Sequence, residues 1–209
     1  MNYKVIDIDT WYRKEQYEFF RSFAEPFTGV VVEVNVASLY DLAKSTSQSF
    51  FQLYLHRCLK AVNQTRALCL RIIGDEVLEY ETIDASAVIM RSDRSFGFSL
   101  IQHTDDFSEF SRNVWDEKNR IENDRSLFPP TNPTNVIHFS AMPWIKFTGL
   151  SHARNYGTQD SCPKISVGKV FERGGEQLMP VSVHVHHALV DGIDMAEFIQ
   201  RYQEELQKP

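Results

Sequence analysis

The chain has few of the features that mark membrane and secreted proteins. No stretch approaches the run of about 18 apolar residues that a membrane-spanning helix needs. The opening residues, MNYKVIDIDTWYRKEQYEF, lack the apolar core of a secretory signal. We therefore expect no membrane partner and a cytoplasmic protein.

Cysteine and charge of a single sign are also scarce. The three cysteines, Cys58, Cys69 and Cys162, form no C-x-x-C pair, and their odd number and apolar or mixed surroundings favour reduced structural thiols. The formal net charge is −6, and no block of like charge interrupts the sequence. Because a basic patch is missing, we expect no nucleic-acid partner.

No internal repeat, low-complexity tract or linker divides the 209 residues. With 43% apolar and 24% charged residues, the composition is that of an ordinary globular protein, which buries a full core without disulfides or metals. The strongest break is FPPTNP at 128–133, which is typical of a loop between elements. We expect one domain that covers residues 1–209.

Hydrophobic periodicity predicts a mixture of helices and strands. Helical spacing marks the segments 13–23, 38–44, 49–62, 105–123 and the C-terminal segment from 192 onward. Alternating and β-branched segments predict strands at 28–36, 69–73, 77–80, 86–90, 96–102, 136–141, 164–172 and 178–187, with tight turns at 74–75 and 174–175. Because helices and strands do not alternate strictly, the predicted fold class is α+β (mixed α/β), with one large mixed β-sheet flanked by helices.

The segment VSVHVHHALVDG at 181–192 carries the most chemistry. In a strand, alternate side chains share a face, so His187 ends an apolar row of valines while His184 and His186 point the other way. Imidazole exchanges protons near neutral pH, as a general base for a hydroxyl or thiol must, so His187 is a candidate general base. Asp191 follows just before Gly192, where the chain must turn from strand into helix.

Two other interpretations of this segment stay open on the residues alone. The histidines could be structural residues of a strand, with Asp191 capping the last helix. His184 and His186 share a face and could bind a metal, but Ala188 and Leu189 stand where a metallo-hydrolase of the HxHxDH kind has an acid and a further histidine. Since the sequence shows no other ligand cluster, we expect no metal.

Residues 186–192, HHALVDG, resemble the HHxxxDG signature of CoA-dependent acyltransferases, and further matches run along the whole chain. They are, in order, the opening MNYKVIDIDTWYRKEQYEFFR, AVNQ at 61–64, LFP at 127–129, SAMPW at 140–144 and LMP at 178–180. With several unlinked matches in the right order, the chain resembles the chloramphenicol acetyltransferase family.

The resemblance implies a homotrimer with active sites between subunits. It also implies direct transfer of an acetyl group from acetyl-CoA, a co-substrate and not a bound cofactor, to a hydroxyl of chloramphenicol or a similar small alcohol. His187 would take the proton from the attacking hydroxyl, while Asp191 would pair with Arg13 and hold the active-site backbone. Phe96 and Phe20 would line the acceptor pocket, although core packing is the simpler explanation of both from the residues alone.

The resemblance also assigns groups near the reaction intermediate. Ser166 stands where the family has a threonine thought to hold a water there. Gly149 stands where the family has a serine whose hydroxyl donates a hydrogen bond to the oxyanion. Losing one such donor costs about 2.7–4 kcal/mol of transition-state stabilisation. Thr148, Ser151, a water or a backbone N–H could replace that donor. Otherwise the chain is a same-fold acyltransferase with another acceptor, or a weakly active relative that binds CoA or another ligand.

Overall fold

The computed structural model describes residues 2–156 and 160–209. The strands in these ranges are β1 (Tyr3–Val5), β2 (Phe27–Asn35), β3 (Leu70–Ile73), β4 (Glu76–Tyr80), β5 (Asp84–Met90), β6 (Phe96–Phe98), β7 (Val136–Met142), β8 (Lys164–Gly168), β9 (Phe171–Arg173) and β10 (Glu176–His186). The helices are α1 (Lys14–Phe20), α2 (Ala37–Thr46), α3 (Phe50–Gln64), α4 (Phe107–Asn123) and α5 (Gly192–Gln207), with a 3-10 helix at Arg66–Cys69. None of these helices is long and apolar enough to cross a membrane.

The strands form two sheets. The larger sheet runs β2-β10-β8-β7-β5-β6, and β9 also pairs with β10, while the smaller sheet runs β1-β4-β3. Strand β7 is parallel to both β5 and β8, whereas β10 is antiparallel to β2 and β8. The predicted fold class, with one large mixed sheet flanked by helices, is confirmed, and the smaller sheet is antiparallel throughout.

Both predicted tight turns are present. Gly74 joins β3 to β4 with a φ of +61°, and Gly174 and Gly175 join β9 to β10 with φ of +61° and +85°. These values lie in the left-handed region, where a Cβ atom is disfavoured. The glycines therefore fix the two hairpins and, with them, the pairing register of β10.

The segment predicted as one strand over 164–172 is two strands, β8 and β9. Residue 167 pairs with 181, whereas 171 pairs with 178, so this segment advances four residues while β10 advances three. One extra residue on one strand is a β-bulge. At the interruption the N–H of Lys169 donates to the carbonyl of Ile145 (2.9 Å), away from the β10 ladder.

Two other elements differ from the sequence prediction. The strand expected over 96–102 ends at Phe98, because the N–H of Leu100 donates to the Glu117 carboxylate (2.6 Å), and sheet pairing resumes only as a single bridge between Ile101 and Ala85. Strand β1 was not expected, since all three of its residues are exposed and carry no burial pattern.

The larger sheet has two unlike faces. On one face the valines of β10 at 181, 183 and 185 are fully buried and share one hydrophobic core with residues of α2, α3 and α5. The other face is covered by residues 143–156, which we call the covering loop. On that side the ring of His184 packs edge-on against His152 of the covering loop, with centroids 5.0 Å apart. A Cβ atom at Gly29 would stand 2.4 Å from the His184 ring, so the neighbouring strand needs glycine there.

Candidate active site

His187 lies at the point where β10 ends. Its backbone N–H donates to the carbonyl of Pro26 (2.8 Å), and the turn that it begins leads into α5. Its ring Nδ1 lies 3.2 Å from the carbonyl oxygen of Val190. A carbonyl can only accept, so Nδ1 carries the hydrogen and Nε2 keeps its lone pair. The half-buried ring therefore presents a proton acceptor at Nε2.

The preceding residue, His186, has the opposite arrangement. Its Nδ1 accepts a hydrogen bond from the backbone N–H of Ala188 (3.3 Å), so Nε2 carries the hydrogen. The side chain is buried, and burial, followed by the positive charge of Arg154, lowers the pKa of His186 to about 4. Two adjacent histidines thus hold opposite tautomers, and of the two His187 offers Nε2 as a base.

An aromatic cluster holds the imidazole of His187 in place. The ring of Phe20, the last residue of α1, stacks on it with centroids 4.1 Å apart and an interplanar angle of 22°. Phe19 and Phe23 pack edge-on against Phe20, at 4.9 and 5.2 Å. Stacking fixes the plane of the ring, while the hydrogen bond at Nδ1 fixes its tautomer. Phe20, expected as a pocket residue, therefore contacts the candidate base directly.

The ion pair between Arg13 and Asp191 lies next to this turn. Arg13 is buried, and its Nη1 lies 2.6 Å from Oδ2 of Asp191 and 3.5 Å from Asp194. The other oxygen of Asp191, Oδ1, accepts from the N–H of Ile193 (3.2 Å) and caps α5. Burial tends to raise the pKa of Asp191, but the hydrogen bond and charge of Arg13 bring it below its usual value. Asp191 therefore plays two parts, one with each carboxylate oxygen. It pairs with Arg13, as the resemblance implies, and it caps α5, as in the structural interpretation of the segment.

Phe96 is not brought to His187 within one chain. Strand β6 is four positions from β10 in the larger sheet, which corresponds to about 19 Å at the usual strand spacing. Phe96 is 46% exposed, and its ring packs edge-on against Phe98 (5.6 Å). A pocket that uses both Phe20 and Phe96 needs another copy of the chain.

A row of three serine hydroxyls crosses the face of the larger sheet that lies under the covering loop, which we call the polar face. Ser166 of β8 is fully buried, and its Oγ has no hydrogen-bond partner among the described residues. The register places Ser140 of β7 and Ser182 of β10 on either side of Ser166. Paired residues in a sheet share a face, so the three hydroxyls lie together. Ser140 begins the SAMPW match, but only the strand order shows that it adjoins Ser166.

Thr148 and Gly149, the two loop residues expected near the oxyanion, do not belong to this row of hydroxyls. Thr148 and Gly149 are both exposed in the covering loop. A Cβ atom built on Gly149 would meet no atom within 4 Å. A side chain at this position would meet no atom of the same chain, so the expectation that Gly149 empties an oxyanion-donor position stays a prediction.

The histidines of β10 are occupied by other partners. Nδ1 of His184 lies 3.0 Å from the hydroxyl of Ser182, and the ring also bonds the backbone of Leu150. Over residues 2–156 and 160–209, no three His, Cys, Asp or Glu side chains are grouped so that they could hold a metal ion.

A large apolar cavity of about 690 Å³ lies at the carboxyl ends of β5, β7 and β8. Its walls are mostly aromatic and aliphatic, with lysines at positions 118 and 169, and include Tyr40, Phe51, Tyr54, Trp115, Ala141 and Trp144. Because β10 is antiparallel to β8, His184 pairs with Lys164 at the start of β8, whereas the cavity reaches Gly168 at its end. In one chain, His187 and this cavity therefore lie towards opposite ends of the sheet.

The fold and the site define a class of protein. A solved chloramphenicol acetyltransferase shares the fold with a TM-score of 0.85 and 27% identity, covering 98% of this chain and 100% of that one. The dihydrolipoamide acetyltransferase of Azotobacter vinelandii, at 12% identity and a TM-score of 0.70, covers 87% of this chain and 82% of its own, which shows the fold alone. The architecture is that of the acyltransferases.

Sequence comparison narrows the class to one family. Chloramphenicol acetyltransferase 3 of Escherichia coli is 28% identical over 98% of this chain and 97% of that protein. The Staphylococcus aureus chloramphenicol acetyltransferase is 26% identical over 100% of this chain and 98% of its own. The chloramphenicol acetyltransferase model matches residues 1–203, and the chain belongs to that family.

Proposed function

We propose that the chain transfers an acetyl group from acetyl-CoA to a hydroxyl of chloramphenicol or a similar small alcohol. Nε2 of His187 takes the proton of the acceptor hydroxyl while the oxygen attacks the thioester carbonyl carbon. The tetrahedral intermediate then collapses, the C–S bond breaks, and the departing CoA thiolate takes the proton from His187. The products are an acetyl ester and the CoA thiol, without an acyl-enzyme.

The tautomer of His187 is the observation that carries this proposal. The hydrogen bond from Nδ1 to the Val190 carbonyl (3.2 Å) leaves Nε2 as the basic nitrogen. The stacked ring of Phe20 restricts rotation of the imidazole. A base with a set tautomer and plane needs little rearrangement before it accepts the proton, which favours the transition state.

The row of serine hydroxyls on β7, β8 and β10 supplies candidate hydrogen-bond donors to the oxyanion. Ser166 has a buried hydroxyl without a partner among the described residues, and Ser140 lies beside it, half-buried. Donors fixed on neighbouring strands are held more rigidly than donors on a loop, which is what stabilisation of a developing charge requires. Because Ser166 pairs with Ser182, five residues before His187, we assign this role to the Ser140–Ser166 pair of a neighbouring copy, ahead of Thr148.

The Arg13–Asp191 pair is assigned an architectural role. Asp191 begins α5 immediately after the turn that carries His187, so its bonds to Arg13 and to the helix hold both ends of that turn. Since a buried arginine without its carboxylate is strongly unfavourable, the pair also stabilises the fold.

The apolar cavity is suited to the pantetheine arm of acetyl-CoA, with Lys118 and Lys169 available to its phosphates. Because the cavity and His187 lie towards opposite ends of the sheet in one chain, the geometry favours a site shared between two copies. A head-to-tail interface between identical subunits closes into a ring when its rotation is one third of a turn, which is compatible with the homotrimer implied by the family.

The direct test of the activity is thiol release from acetyl-CoA, with and without chloramphenicol. We expect acceptor-dependent release in the natural protein and a fall of about 10²- to 10⁴-fold in His187→Ala, the usual contribution of a positioned base. His103→Ala, a change to a half-buried histidine in the loop between β6 and α4, serves as the matched control. Equal activity of His187→Ala and His103→Ala would refute the role of His187.

A mixing experiment tests the shared site. Val170→Trp is designed to fill the apolar cavity and His187→Ala to remove the base, so each variant alone should be inactive. In randomly mixed assemblies of the two, about one quarter of inter-subunit sites combine an open cavity with an intact histidine. Recovery near that level supports sites between subunits, and no recovery from mixed assemblies contradicts them.

A further inference from the structure

A second, smaller cavity is lined by His186, the residue before the candidate base. Its volume is about 210 Å³, larger than the roughly 150 Å³ that accommodates benzene in an engineered protein cavity. Phe23 and Pro26 line it, and each also reaches the base: Phe23 packs on Phe20, which stacks on His187, and the Pro26 carbonyl accepts the N–H of His187. The cavity is therefore linked to His187 through Phe20 and Pro26, and His186, the neighbour of the base in the chain, lines its wall.

The cavity wall is rich in hydrogen-bond donors. His186 lines it, is only 6% exposed, and carries its hydrogen on Nε2. Ser161 also lines it. Its oxygen accepts the N–H of Ile72 (2.8 Å), which leaves the hydroxyl hydrogen to donate. A ligand with acceptor oxygens matches these groups.

Two arginines line the cavity. Arg21 is paired with the exposed Asp75, whereas the guanidinium of Arg154 lies over the ring of Phe27, 3.8 Å from its centroid. The side chain is 12% exposed, so its charge is partly shielded from water and its plane is held by the aromatic ring. A planar guanidinium fixed in this way is suited to bidentate recognition of a carboxylate.

The present partner of Arg154 is a carboxylate of the chain itself. Glu25 forms an ion pair with Arg154 while its side chain is 49% exposed, and the same oxygen accepts the N–H of Phe27 (3.1 Å). The acid that lines the cavity itself, Asp160, is bound to buried Lys164. Glu25 is therefore the acid that a ligand carboxylate could displace towards solvent.

We propose that this cavity selects acceptor alcohols that carry a carboxylate, which Arg154 binds in place of Glu25 while His186 and Ser161 donate to its oxygens. The proposal deepens the proposed function and rests on it for the nature of the site, since the bound alcohol would be the acetyl acceptor. The carboxylate end occupies the cavity and the hydroxyl end faces Nε2 of His187.

The test compares two probes of the same shape, the charged para-(hydroxymethyl)benzoate and the neutral para-(hydroxymethyl)benzamide. Binding is measured by titration calorimetry without acetyl-CoA, so that it does not depend on turnover. We expect the benzoate to bind about tenfold more tightly than the benzamide, as for a charge-assisted hydrogen bond. Arg154→Gln should remove this difference. Arg173→Gln, a change to an exposed arginine paired with Glu33, is the matched control and should leave it intact.

Glu25→Gln keeps an oxygen for the N–H of Phe27 but removes the competing charge. It should tighten benzoate binding several-fold and leave benzamide binding unchanged, an effect opposite in sign to that of Arg154→Gln. Equal binding of the two probes to the natural protein, or weaker benzoate binding in Glu25→Gln, would overturn the proposal. Charge-selective binding without acetyl transfer would support carboxylate binding in the cavity and contradict the proposed function. Equal acetyl transfer to both probes would support the proposed function and contradict carboxylate selection by the cavity.

Discussion

The two faces of β10 carry opposite chemistry on one strand. The valines at 181, 183 and 185 are fully buried against the helices, whereas Ser182, His184 and His186 lie under the covering loop. On the apolar face, close packing alone satisfies the side chains. On the polar face each group needs a partner, and each partner sets a tautomer or a charge.

The difference explains where a reactive group can stand. His186, still inside the strand, is buried and engaged through Nδ1 with the N–H of Ala188. His187 is the first residue beyond the strand, so the ladder no longer dictates its side-chain direction, and its ring turns onto Phe20. Strand β10 fixes the position of the turn. Beyond its end, the His187 ring bonds the Val190 carbonyl through Nδ1, which leaves Nε2 as the acceptor.

The largest expected effect is acid destabilisation of the polar face. Burial, more than the charges around each ring, lowers the pKa of both His186 and His152 from 6.5 to about 4. Between these values the unfolded chain binds more protons, so stability is full above pH 6.5 and is lost as the pH falls towards 4. By about pH 4.5 we expect a loss of about 2 kcal/mol per histidine.

Denaturant unfolding from pH 7 to 4.5 measures this loss. The positive charges of Arg154 and Lys164 also oppose protonation of His152, whereas Asp160 favours protonation of His186. His152→Gln removes one titrating group and should make the pH dependence shallower. An unchanged slope in that variant would show that the polar face does not control acid stability.

Loss of the Arg13–Asp191 pair should have the next largest effect. Asp191→Ala leaves a buried guanidinium without its carboxylate and removes the cap of α5, so we expect a loss of about 3 kcal/mol in unfolding free energy. Glu197→Gln, which breaks the surface pair with Arg201, should cost less than about 0.5 kcal/mol. Comparable effects of the two substitutions in thermal unfolding would contradict the architectural role.

The apolar face should respond to volume alone. Val183→Ala removes two methyl groups from a fully buried position and should cost about 2 kcal/mol without a change in pH dependence. Its cross-strand partner Val30 is 37% exposed, so Val30→Ala should cost about 0.5 kcal/mol. Urea titration of both variants measures the two losses in unfolding free energy. Equal losses would mean that the apolar face is not close-packed around Val183.

The smallest effect is expected at Gly149. A side chain there meets no atom of the same chain, so Gly149→Ser should leave stability unchanged. Because the oxyanion donor is assigned to Ser140 and Ser166, the substitution should also leave turnover unchanged. If instead Gly149 occupies the place of an oxyanion donor, the serine would raise kcat by about 10²- to 10³-fold. Thiol-release kinetics of this one variant decides between the two positions for the donor.

Period-2 alternation and turn chemistry predicted β10, its hairpin turn and the candidate base His187. These are local signals, and each depends on a few adjacent residues such as Gly174 and Gly175. The bulge between β8 and β9 could not be predicted, because it depends on a hydrogen bond between Lys169 and the distant Ile145.

The site shows the same division. HHALVDG predicted the neighbourhood of His187 and Asp191, but its contact with Phe20 follows from the packing of α1. Strand order places Ser140 beside Ser166, which periodicity cannot show. The pairing of Arg154 with Glu25 likewise brings together residues far apart in the sequence, and neither lies in a recognisable motif.

The most direct test of the account is the tautomeric state of the two adjacent histidines. Long-range proton–nitrogen NMR of the histidine-labelled protein near neutral pH, with His187→Ala for assignment, reports which ring nitrogen carries the hydrogen. We predict hydrogen on Nδ1 of His187 and on Nε2 of His186. Hydrogen on Nε2 of His187 would contradict it, since the nitrogen proposed to accept the proton would already hold one.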